Sequence, residues 1–108
     1  MSNDEQQMIE EEIIQDYYGH SHFPLINEYV KKYANSNEGN DRKAVSYFVD
    51  YETMENQRRL ERELIEIKKE NGSKAALRKI LGKRREASYN GFPRWAHCML
   101  IWLVEARR

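Results

Sequence analysis

Seven consecutive residues near the C-terminus, Cys98-Met-Leu-Ile-Trp-Leu-Val104, are apolar. A helix of that composition has no polar side to turn toward water, so the rest of the chain has to surround it. Seven residues fall far short of the roughly 20 needed to cross a bilayer, and no membrane association is expected. The run therefore predicts a helix at the centre of a small bundle, or between two copies of one. Pro93 marks its start, since a first helical turn tolerates a missing N–H. Arg107 and Arg108 oppose the negative end of its dipole. On this reading Trp95, Met99, Trp102 and Leu103 supply core or dimer contacts.

Helical periodicity accounts for most of what precedes that run. Ser2 with Glu5 has the form of a capping box, and Ile9, Ile13 and Tyr17 recur at helical spacing. A first helix over about residues 3 to 18 is predicted, ended by Gly19, with Glu10, Glu11 and Asp16 on an acidic outer face. Pro24 opens a second, whose apolar side is Leu25, Ile26, Tyr29, Val30 and Tyr33 and which ends near Ala34. Residues 35 to 41, NSNEGND, read as a loop.

Residues 42 to 70 admit two readings at their start. Val45, Tyr47, Val49 and Tyr51 alternate as in a strand, while Tyr47, Tyr51 and Met54 fit one side of a helix. Helix is preferred, because a lone strand needs a partner and no other segment alternates. Leu60, Leu64 and Ile67 continue the stripe beyond a polar gap at residues 55 to 59, ENQRR, until Asn71-Gly72. Ser73 then caps a fourth helix over about 74 to 87, and Asn90-Gly91 turns the chain into the last one. The fold expected is all-α: one domain over residues 1–108, a small four- to five-helix bundle with the C-terminal helix central.

At 108 residues the core is modest, and Leu, Ile, Val and Phe together number only 22. Seven Tyr, four Met, two Trp and a formal net charge of zero still favour folding over disorder. A thin core is often completed by a second copy, so a homodimer is expected. The zero net charge conceals a gradient along the chain. Residues 1 to 40 carry eight acidic and two basic side chains, whereas residues 73 to 108 carry two and nine. Either the two ends meet, or the basic end is left for a polyanion.

The stretch Leu81 to Trp95, LGKRREASYNGFPRW, bears most on those two outcomes and fits both. Lys79, Lys83, Arg84, Arg85 and Arg94 could neutralise phosphates, and Tyr89, Phe92 or Trp95 could stack on exposed bases of RNA or single-stranded DNA. The same residues suit a basic helix end, a turn and a core lid.

Catalytic patterns are missing: Gly82-Lys83 lacks the rest of a phosphate loop, and neither GxSxG nor HExxH occurs. Glu12 and Asp16 share a helix side, which is far more often a solvated acidic surface than an acid–base pair. His20, His22, His97 and the single Cys98 do not follow a metal-site spacing, so no metal or other cofactor is expected. One cysteine and an acidic N-terminus without a secretory pattern make the cytoplasm the expected compartment. The leading expectation is a non-enzymatic helical adaptor or regulatory module. It self-associates and binds a protein partner through charged helix faces, with Glu10, Glu11 and Asp16 as the acidic docking face. Nucleic-acid binding through residues 79 to 95 is the alternative.

Overall fold

A computed structural model describes residues 23 to 108. Among them the chain is all-α, with six α-helices. Helix α1 (Pro24–Tyr29) runs on through a π-helical turn (Val30–Ala34) and a 3-10 turn (Asn35–Asn37). Then follow α2 (Asp41–Tyr51), α3 (Met54–Lys68), α4 (Lys74–Leu81), α5 (Lys83–Tyr89) and α6 (Phe92–Arg107). The helix expected over residues 3 to 18 lies outside the described residues.

Two expected helices are each divided. Residues 42 to 70 are helical as preferred, but the break falls at Glu52 and Thr53, ahead of the polar ENQRR gap. Thr53 adopts an extended backbone, and its hydroxyl accepts the Asn56 N–H at 3.1 Å, so it caps α3. The buried Gln57 side chain donates to the carbonyls of Val49 and Glu52, each at 3.1 Å, which satisfies the end of α2. The expected helix 74–87 is interrupted at Gly82, whose φ of +86° and ψ of 153° are closed to a helix and to most L-residues.

The expected apolar stripe of α2 is also displaced. Ala44, Val45 and Phe48 face the core, while Tyr47, Tyr51 and Met54 are exposed. An aromatic-rich side looked like the inward one. Alanine and valine are small enough to let α2 lie close on its neighbours, and only Phe48 is needed to fill the space between.

Helix α6 is central, packing against α2, α3 and α5. It buries Phe92, Trp95, Ala96, Met99 and Leu103 against Leu60, Leu64 and Ile67 of α3 and Val45 and Phe48 of α2, within a single buried cluster. The covering stops short of a full circle: Ile101 and Val104 remain 45% and 51% exposed. The six helices leave one side of the apolar run uncovered.

Candidate functional site

Asp41 is the first residue of α2 and is 2% exposed. Its carboxylate receives donors from three other helices. Trp95 Nε1 of α6 donates at 2.9 Å and the Tyr29 hydroxyl of α1 at 2.6 Å. Arg85 of α5 donates from Nε at 3.0 Å and from the terminal Nη2 at 3.1 Å, and also from Nη1 to the Leu81 carbonyl at 2.9 Å. Every strong acceptor direction is used, so a buried charge is matched rather than stranded. Burial, and after it the charge of Asp41, pushes the Tyr29 hydroxyl well above the ordinary tyrosine range. Burial works against the Arg85 charge, yet the hydrogen bonds and charge of Asp41 outweigh it and hold the guanidinium above its usual value. The cluster is closed and fully committed. It is a knot joining four helices, and it leaves no oxygen for a substrate.

The knot determines which cations of residues 79 to 95 remain available. Arg85 is spent on Asp41. Arg78 donates to both oxygens of Glu86 at 2.8 and 3.2 Å, with Lys74 at 3.6 Å, so one carboxylate neutralises much of α4. The hydrogen bond from Arg78 holds the Glu86 carboxyl below its ordinary range. Lys79 is exposed. Lys83, Arg84 and Arg94 are exposed and have no partner among the described residues. The aromatics of the same stretch face the other way: Phe92 and Trp95 are sealed in the core, and Tyr89 is half-buried, edge-on to Trp102 at 6.4 Å.

Two clefts flank this cationic region. The larger, about 420 Å³, lies between the α3–α4 connection (Glu70, Asn71, Gly72), Leu77 of α4 and the first turn of α6 with Pro93 and Arg94. The smaller, about 300 Å³, lies between Glu38 and Gly39 on one side and Arg84, Arg85 and Ser88 on the other.

The remaining expected contact residues divide by burial. Trp95, Met99 and Leu103 are core, and Trp102 is half-buried. Glu10, Glu11 and Asp16 lie outside the described residues. His97 is exposed beside a half-buried Cys98, and no group of three potential metal ligands occurs among the described residues. No described helix is long and apolar enough to cross a membrane.

Sequence reasoning passed over Glu63 and Asp41 as residues that tie helices together, and gave Arg107 only a role at the end of the helix dipole. Glu63 of α3 accepts the N–H groups of Leu25 and Ile26 at 3.1 and 2.9 Å, capping α1, whose own preceding residue, Phe23, offers no cap. Burial pushes the Glu63 carboxyl up to about 7, against the pull of those N–H groups. Arg107 donates to Gln57 at 3.2 Å and to Glu61 at 2.8 Å, fastening the end of α6 to α3. The only sequence signal of Asp41 is Asn40-Asp41 ahead of an apolar spacing, a pattern that equally fits an exposed helix start.

No protein-family model, curated protein or solved structure matches the chain.

Proposed function

We propose that the protein is a non-enzymatic helical interaction module, an adaptor or regulator, that docks an acidic segment of a partner protein on the face formed by α5 and the first turn of α6 and self-associates through α6. One observation carries the docking half: Lys83, Arg84 and Arg94 are exposed and unpaired among the described residues, although other cations of the region have ion-pair partners. Unneutralised cations on a rigid helical surface attract an anionic partner and raise its rate of encounter. The inward position of Phe92 and Trp95 favours protein over single-stranded nucleic acid, because base stacking needs exposed rings.

Self-association draws on what α6 leaves uncovered. Trp95, Met99 and Leu103 are consumed by the core, so the surface offered to a second copy is Ile101 and Val104. These are three residues apart and share one side of the helix.

The docking reading is tested by titrating the full chain with an acidic peptide and with a single-stranded oligonucleotide of equal charge at low salt. The peptide should bind, weaken as salt rises and lose affinity in the double variant Lys83→Glu/Arg84→Glu. Tight, salt-steep binding of the oligonucleotide alone would replace this reading with the nucleic-acid one.

A further inference from the structure

The larger cleft combines an apolar floor with a cationic rim. Ile67, Leu77 and Phe92 are buried beneath it, and Pro93 forms one wall. Lys74 and Arg94 stand at the edge, and Glu70 is the one carboxylate among its described lining residues. Helix α6 starts here with Gly91 before it and no side-chain cap, so its positive dipole end adds to the rim. The α3–α4 connection passes close to the Phe23 ring: Gly72 has a φ of +96°, and a Cβ there would lie 2.8 Å from that ring, so the position favours glycine. At about 420 Å³ the cleft falls within the range that accepts a bound group.

We infer that this cleft anchors the acidic partner by taking one large aliphatic side chain from it, while carboxylates on either side of that side chain meet Arg94 and Lys74, the exposed Lys74 ammonium being shared with Glu86 at 3.6 Å. The inference rests on the acidic-partner reading and adds an address to it. Charge alone would let an acidic segment slide along α4 and α5; an apolar pocket between cations fixes its register. Lys83 and Arg84, about two turns back along α5 from Gly91, then meet further acidic residues of the same segment.

The test is two-dimensional NMR of the full chain, titrated with a blocked pentapeptide that has one leucine between two acidic pairs. The backbone amides of Gly72, Leu77 and Gly91 should shift together and saturate. Replacing the leucine by serine should weaken binding about 10-fold or more, the effect of losing a buried aliphatic side chain. Arg94→Glu should weaken it as well, while the remainder of the spectrum stays in place. Shifts confined to the amides around Lys83 and Arg84, with equal affinity for both peptides, would overturn the cleft and leave the acidic-partner reading standing. No binding of either peptide at low salt would overturn both. Binding that appears only after the six carboxylates of residues 1 to 22 are changed to amides would make the chain's own segment the occupant, and the partner proposal would fail.

Discussion

Two carboxylates show how differently burial acts on the same group. Asp41 is enclosed by a guanidinium, an indole and a phenol, so its charge is compensated at every oxygen. Removing it strands the guanidinium of Arg85 and leaves Trp95 Nε1 without an acceptor. Asp41→Ala should therefore cost about 3–5 kcal/mol in a urea melt, the magnitude for breaking one side of a buried ion pair. Glu63 has two backbone N–H partners and feels the charge of Arg59 but has no ion pair among the described residues, and burial raises its carboxyl to about 7. Between its ordinary value of 4.5 and about 7, the unfolded chain has released this proton and the folded chain still holds it. Stability from this group thus falls as pH rises through that window. The melting temperature should drop between pH 5 and pH 7.5, and Glu63→Gln should remove that part of the slope. A slope unchanged in the variant would assign the titration to another group.

At the scale of the element, breaks matter more than lengths. Gly82 ends α4 and starts α5 in a conformation closed to most L-residues, although a Cβ there would meet nothing within 4 Å. Gly82→Ala should then destabilise by about 1–3 kcal/mol through backbone strain alone. Because Arg85 holds the Leu81 carbonyl as well as Asp41, the same strain should loosen the knot. Protection of the Trp95 indole N–H from hydrogen exchange reports that loosening. Thr53 does for α3 what glycine does for α5, with a capping hydroxyl in place of a permissive backbone. Thr53→Ala should cost about 0.5–2 kcal/mol, read from chemical denaturation. Ser73 and Thr53 make the same hydrogen bond to the third residue beyond, at 3.3 and 3.1 Å. Only Ser73 stood out in the sequence, since Asn71-Gly72 announced it. Thr53 sits between apolar residues that continue a helical spacing, which hides the stop.

The whole molecule is organised around a helix that its neighbours cover incompletely. Ile101 and Val104 are half exposed on α6, so Ile101→Asp with Val104→Asp should cost the fold only about 1–3 kcal/mol, from half-buried apolar area and a poorer helix former, and leave it folded. If the bare side of α6 is where two copies meet, the same pair of changes turns a dimer into a monomer. Sedimentation over a range of concentrations measures this, and a parent protein that stays monomeric throughout would remove self-association from the proposal. The charge gradient acts at this scale too. Part of it is neutralised inside the described structure by Asp41 with Arg85, Glu61 with Arg107 and Glu105 with Arg42. These are pairs between helices distant in sequence, not between the two ends of the chain. What remains on α5 and at the start of α6 is the surface we propose for an acidic partner.

Helical character was legible along the sequence because it is local: apolar spacing, Pro24 and Pro93 in first turns, and the Asn-Gly turns act within a few residues. The central place of α6 was legible too, since a run without a polar side draws the other helices onto it, but that Ile101 and Val104 would stay exposed was not. Which side of α2 turns inward, where the long helices divide and which of Lys83, Arg84 and Arg85 is spent were decided only in three dimensions. The first and last depend on residues tens of positions away, as Arg85 does on Asp41, and sequence spacing carries no record of such distances. The divisions are local, at Thr53 and Gly82, but apolar spacing that continues across them hides them.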